Sequence, residues 1–324
     1  MDSTVINAIL SALPAPAITA GVVMLAGAVV PGSGRRVLAV RRLTPGLAIG
    51  VGMVVGYALK GTGGWPVPPG RFEHWVAIVG AFAAVVSFWA AVMPSGPAWR
   101  WGMRALASFA VSAGISWRLA RESWSVAEAV FWIGGTGLGI MLAWAAFDRI
   151  ASSRAGGGEG DGIRGRSEGE NARVMPGWCG PLLLSVWAGM ASQALAATDS
   201  LLLGSYGAMV AASAGALVVG AVVRRTMDVA GGGARGGISG GGVVAMLTGI
   251  LVFGGHHYSG LALWMALMVM AGPVFAAVLD RLMLGRVSGL PRAAWRMAAL
   301  GVLPGVVLGV AIPAAIRAAN DLGY

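Results

Sequence analysis

Arg100, Arg104, Ser108, Ser112 and Ser116 recur at every fourth position of one apolar stretch. At that spacing successive side chains drift by only about 40° around a helix, so guanidinium and hydroxyl groups form one narrow stripe. The stripe offers hydrogen bonds to a polar solute on a hydrated path. In an apolar medium the plainer reading is that small hydroxyl residues tie neighbouring helices together. Further on, Gly134-Gly135-Thr136-Gly137 interrupts a second apolar run near its midpoint, and Pro304-Gly305 interrupts the last one. Gly/Pro interruptions at corresponding positions of two halves point to a transporter's midplane site. Ser112, Glu128, Gly135, Thr136, Pro304 and Gly305 are therefore the candidate ligand-binding residues.

Glu128 is read as the intramembrane carboxylate, and a lone acid at that depth is functional by default. Ser125-Val126-Ala127-Glu128 also has the spacing of a capping box, in which the glutamate reaches back to the helix start. Arg118 and Arg121 are alternative partners. The three histidines are His74, His256 and His257. With Glu73, Glu122 and Asp199 they fall on one expected side, the pair His256-His257 in a tight loop with Tyr258. Imidazoles with a carboxylate bind zinc. No H-x-x-x-H or H-E-x-x-H spacing supports that here, so these are weak metal candidates and no cofactor is expected. No serine lies in G-x-S-x-G, and no catalytic residue is assigned. The single cysteine, Cys179, cannot form an internal disulfide and is read as a packing residue.

The elements that must hold these groups are runs of about 20 apolar residues, long enough to cross a bilayer as helices. Ten occur, near 6–30, 44–60, 74–93, 101–119, 125–147, 179–197, 200–223, 239–255, 259–280 and 293–316. The eighth is the weakest, because only Val243 to Phe253 is densely apolar. Basic residues fill alternate gaps: Arg35, Arg36, Arg41 and Arg42; Arg100 and Arg104; Arg149, Arg154, Arg164, Arg166 and Arg173; Arg224, Arg225 and Arg235; Arg281, Arg286, Arg292 and Arg296. These are 18 of the 23 basic residues, and basic loops are retained in the cytoplasm. Both termini are therefore expected outside, with Lys60, Arg71, Arg118, Arg121 and Arg317.

Tryptophans prefer the headgroup level. Trp75, Trp117, Trp124 and Trp264 fall at expected outer ends, and Trp99, Trp101, Trp144, Trp178 and Trp295 at inner ones. Thr44-Pro45 reads as a helix start, while Ser259 and Asp199-Ser200 read as caps of spans nine and seven. Glycines four apart (Gly52 and Gly56; Gly135 and Gly139; Gly301, Gly305 and Gly309) permit close helix contact. Pro14, Pro16 and Pro273 are expected to bend their helices.

The chain is 57% hydrophobic and 11% charged, against about 25% charge in soluble domains. Its net charge of +10 does not make a nucleic-acid binder, because the arginines are spread over five loops without interleaved aromatics. They suit anionic headgroups of the cytoplasmic leaflet. Twenty-two arginines against one lysine is the usage of a GC-rich bacterial genome, so a bacterial inner membrane is expected. Met1-Asp2-Ser3 lacks a basic n-region, so the first run is read as a span and not as a cleaved signal.

Ala155 to Asn171 has no apolar periodicity and reads as a flexible linker. A second glycine-rich segment, Gly231 to Gly242, joins spans seven and eight; neither segment has a P-loop lysine. The expected fold is all-α and membrane-integral: about ten transmembrane helices arranged 5+5 around a cytoplasmic Gly-rich linker. Residues 1–150 form one half, 151–177 the linker and 178–324 the other half. Five is odd, so the halves enter from opposite sides, as inverted repeats do; no residue-level match joins them. Three functions fit: a non-catalytic membrane subunit, a small-solute permease with a midplane site between spans 4, 5 and 10, or a membrane enzyme using the outer His/Glu residues.

Overall fold

Long apolar runs in this sequence become helices because only a helix satisfies its own backbone polar groups away from water. The computed structural model describes residues 13–29, 35–60, 69, 71–92, 96–150, 178–198, 200–224, 240–282 and 289–321. Ten helices occur among them: α1 (Pro14–Val29), α2 (Arg35–Leu59), α3 (Phe72–Val92), α4 (Pro97–Glu122), α5 (Val126–Ile150), α6 (Cys179–Ala196), α7 (Leu201–Arg224), α8 (Gly240–Ser259), α9 (Leu263–Leu282) and α10 (Gly289–Asp321). Seven of them, α3 and α5 to α10, are long and apolar enough to cross a membrane. The described part of the first span, α1, is 16 residues long. α4 carries four arginines along its length, and the apolar part of α2 is confined to Leu43–Leu59. The Ala155 to Asn171 linker and residues 231–239 lie outside the described residues.

The span with the shortest densely apolar stretch, α8, is the centre of the molecule. α8 packs against α2, α3, α4, α5, α6, α7 and α9, and every residue from Gly240 to Gly255 is buried. Its glycines are where the neighbours enter. A Cβ at Gly242 would lie inside the Trp144 indole, one at Gly254 inside the Phe72 ring, and one at Gly249 within 2.5 Å of Ile140. Small residues let helix axes approach and gain dispersion contacts that lipid cannot better. Trp144, expected at the interface, is consequently buried at 1% exposure.

Glycines elsewhere sort unevenly. Gly52 and Gly56 of α2 do mark a close seam: a Cβ at Gly52 would stand 2.8 Å from the Pro16 carbonyl of α1, and one at Gly56 3.1 Å from Met209 of α7. On another face of α2, a Cβ at Gly50 would stand 2.6 Å from the Gly80 carbonyl of α3. The same spacing in α5 and α10 does not produce a seam. Gly135 and Gly309 meet nothing within 4 Å, while Gly139, Gly301 and Gly305 make only ordinary contacts. Spacing puts residues on one face but does not say what that face meets.

Several expected boundaries move. α2 begins at Arg35 and runs through Pro45, and the Thr44 hydroxyl donates to the Val40 carbonyl at 2.7 Å, so Thr44 is not a cap. Ser259 closes α8 and does not open α9. The turn falls instead at Gly260, whose φ of 73° is open to glycine without steric cost. His256, His257 and Tyr258 are helical, in the last turn of α8. Pro14 and Pro16 sit in the first turn of α1, where no intrahelical donor is needed, so they start the helix and do not bend it.

Gly242→Ala should destabilise the protein by about 1–3 kcal/mol, the cost of overpacking. Gly135→Ala, on the same fold but facing open space, should be neutral or gain up to about 1 kcal/mol from helix propensity. Thermal unfolding of the two detergent-purified variants measures the contrast; equal effects would contradict the central position of α8.

Candidate functional site

The candidate ligand-binding residues are distributed over separate environments. The Ser112 hydroxyl donates to the Ile133 carbonyl at 2.9 Å, a tie between α4 and α5; Ser108 and Ser116 are buried on the same face. Arg104 forms an ion pair with Asp148 of α5 and lies over the Trp101 ring at 5.0 Å. Thr136 is buried, whereas Gly135 beside it is exposed. Glu128 is exposed and closes a reciprocal capping box: its carboxylate accepts from the Ser125 backbone N–H and hydroxyl, both at 2.8 Å, and the Ser125 hydroxyl accepts from the Glu128 N–H at 3.3 Å.

Neither expected break interrupts its helix, since α5 and α10 run continuously through Gly134–Gly137 and Pro304-Gly305. Pro304 faces Gly272 of α9, where a Cβ would stand 3.4 Å from its ring. α9 packs on both α5 and α10. A void lies elsewhere, an apolar groove of about 440 Å³ between α1 and α7, lined by Ala17, Gly21, Leu25, Ala212, Ala216 and Gly220 among others.

Of the weak metal candidates, His256 and His257 lie side by side, ring centres 4.8 Å apart. Among the described residues no group of three or more His, Cys, Asp or Glu side chains is arranged to hold a metal. His74 stands edge-on to Tyr57, ring centres 6.4 Å apart. His256 donates from Nδ1 to the Leu261 carbonyl at 2.8 Å. His257 packs edge-on to Trp132 at 4.7 Å and to Trp124 at 5.1 Å. Aromatic pairs at such distances contribute packing energy beyond their burial.

No family model, curated protein or solved structure matches the chain. Its chemistry is therefore read from its own residues, two clusters of which are more developed than any expected site.

The first cluster is ionic. The Asp280 carboxylate of α9 accepts from Arg292 through Nε and Nη2, both at 3.0 Å, and from Arg296 through the same two atoms at 2.8 Å. Arg296 Nη1 also donates to the Ile150 carbonyl, at the C-terminal end of α5, where a cation is favoured by the helix dipole. Asp280, Arg292 and Arg296 are 4%, 8% and 4% exposed, so the paired forks replace water almost entirely. Reading Glu128 as the intramembrane acid overlooked Asp280, which sits at the edge of the ninth span. Its signal was Arg292 and Arg296, four apart and hence on one helix face.

The second cluster joins α2, α3 and α7. Tyr57 stacks on Tyr206 with ring centres 6.0 Å apart, and Lys60 Nζ lies 4.8 Å above the Tyr206 ring. Lys60 also donates to the Ser205 hydroxyl, which in turn donates to the Leu202 carbonyl at 2.6 Å. Nothing in local spacing links these residues, because the contacts span well over a hundred positions of chain.

Asp280→Asn should cost about 3–5 kcal/mol, because it leaves two buried guanidinium groups without their counter-ion. Glu122→Gln, which breaks only the exposed pair with Arg118, should change stability little. Unfolding midpoints in detergent compare the two; a silent Asp280→Asn would show that the cluster is hydrated.

Proposed function

We propose that this chain is a non-catalytic multi-pass subunit of a bacterial inner membrane. In this reading ten helices span the bilayer, five on each side of a cytoplasmic linker at 151–177, with both termini outside. The observation that carries the reading is the unbroken burial of α8 from Gly240 to Gly255. A bilayer carrier keeps polar groups around a hydrated mid-depth path. Here the centre is a glycine-rich helix into which Trp144, Phe72 and Ile140 interlock. Polar groups of the surrounding helices are used to join them: Ser112 to Ile133, Ser185 to the Ala211 carbonyl at 2.9 Å, Ser192 to the Gly204 carbonyl at 2.6 Å and Trp187 Nε1 to the Val269 carbonyl at 2.9 Å.

The charge distribution supports the orientation. The end of the bundle where α5 and α9 finish and α4 and α10 begin carries Arg100, Arg104, Arg149, Arg281, Arg292 and Arg296. The opposite end carries Lys60, Arg71, Arg118, Arg121 and Arg317. With Arg35, Arg36, Arg41 and Arg42 at the start of α2 and Arg224 at the end of α7, and the arginines of 151–177 and 225–239 added from the sequence, the first end is the more basic and is the one we assign to the cytoplasm.

Two measurements test this reading. Reporter fusions after Gly158 and Ser239 should report cytoplasm, and fusions after Gly64, Gly260 and Tyr324 the outer side; a cytoplasmic Tyr324 would overturn the orientation. Proteoliposomes holding the purified chain should accumulate amino acids, sugars and inorganic ions no faster than protein-free vesicles. Saturable uptake of any of them, altered by Thr136→Val, would replace the subunit reading with the permease.

A further inference from the structure

The C-terminal end of α8 is joined to the α4–α5 hairpin through aromatic rings and imidazoles. His257 meets Trp132 of α5 with ring centres 4.7 Å apart, and Trp124 in the turn after α4 at 5.1 Å. His256 lies 5.3 Å from Trp132 and 4.8 Å from His257, while the two indoles stack at 6.4 Å. The Tyr258 hydroxyl adds a long hydrogen bond, 3.4 Å, to the Ile115 carbonyl of α4.

Both imidazoles follow the eighth apolar run, which ends at Gly255, and an ordinary histidine titrates near pH 6.5, at about the middle of the physiological range. His256 Nδ1 is engaged by the Leu261 carbonyl. His257 Nε2 is buried without a hydrogen bond. In the neutral ring that nitrogen carries a bare lone pair if Nδ1 holds the proton; in the imidazolium it is a donor. A buried donor without an acceptor is costly, and a second charge on His256, in ring contact, adds repulsion. The helix C-terminus and the indole faces attract a cation, but neither gives Nε2 an acceptor.

Other charged groups around this end are engaged with one another or stand apart. From α3, Arg71, Glu73 and His74 flank Phe72, which packs on Tyr258 at 5.0 Å. From α4, Arg118 and Glu122 pair with each other, and Arg121 is exposed. From α5, Glu128 is held by Ser125. α6 reaches Gly255 with the apolar Leu195, and Asp199 lies outside the described residues.

We propose that His256 and His257 form an acid-sensitive latch: while neutral they hold the α4–α5 hairpin against the end of α8, and protonation releases it. The closed cluster disfavours the imidazolium, whereas the open one takes its proton at the ordinary value. The latch is therefore complete above about pH 6.5 and weakens as the pH falls through that value. An imidazole protonated only when open raises the open population about tenfold between pH 7.5 and pH 5.5. The latch stands apart from the proposed orientation, because in detergent both ends of the bundle meet the buffer.

Hydrogen–deuterium exchange of the full-length protein in detergent tests it, compared at about pH 7.5 and about pH 5.5 after correction for intrinsic exchange. Amides of 123–134 and 254–262 should exchange about threefold faster or more at the lower pH. Amides at the α6–α7 contact around Ser192 and Gly207 should change less. His257→Phe keeps a ring against the indoles with no proton to gain, and His257→Gln removes the ring; both should lose the pH difference. His74→Phe and Asp199→Asn should keep it. The latch is overturned by a wild type without the acid-induced increase, or by an equal increase at the α6–α7 contact. It is overturned equally by a difference that survives in both His257 variants, or by one lost in His74→Phe or Asp199→Asn.

Discussion

A helix with neighbours on all sides cannot gain stability from lipid, and this constraint on α8 orders the rest of the fold. In a bilayer the surrounding chains are as apolar as leucine, so helices associate through close contact and hydrogen bonds more than through the hydrophobic effect. Glycine is the residue that brings backbones nearest. α8 is accordingly flat where Trp144 and Phe72 press into it, and bulky only between those points, at Val243, Met246, Leu247 and Ile250. The surrounding helices meet it with large rings, so shape is carried by the outer layer and space by the inner one. Contacts of the same kind recur between α6 and α7, where a Cβ at Gly204 would stand 2.8 Å from Ala196 and one at Gly207 2.9 Å from Ser192.

The ends of the bundle solve a different problem, that of charge leaving water. At one end Asp280 is shared by two arginines whose forks match its two oxygens, and a helix C-terminus takes the remaining donor. Arginine suits this arrangement because its planar donors reach carboxylate and carbonyl together. At the other end Lys60, a point charge on a flexible stem, rests on an aromatic face. One end is closed on itself, and at the other no carboxylate pairs with Lys60 among the described residues.

Much of the helix layout was legible because hydropathy and length measure what a bilayer demands. Eight of the ten expected runs match their helices at both ends to within about five residues; the start of the first lies outside the described residues, and the apolar run from 44 is the interior of a longer α2. Rank was not legible: hydropathy reports how well a helix faces lipid, so the central α8 looked weakest for the very reason that it is central. Glu128 illustrates a local motif that could be read fully, because its partner lies three residues away. The candidate midplane site could not be judged in the same way. Gly135 and Gly305 share the periodicity of Gly52 and Gly56, but the surface each meets is decided by helices far away in the chain. Lys60 escaped for that reason as well, since its partners Ser205 and Tyr206 come from a distant segment.

The position of α8 also bears on how the protein is made. Ribosomal synthesis delivers α8 after α2 to α7, six of the seven helices it packs against. Those helices are made before the wedge that separates them exists, and the Ile150 carbonyl waits for Arg296, 146 positions further along. The later part of the chain thus acts as a keystone, and the first five helices reach their final spacing only after the ribosome has finished with the last.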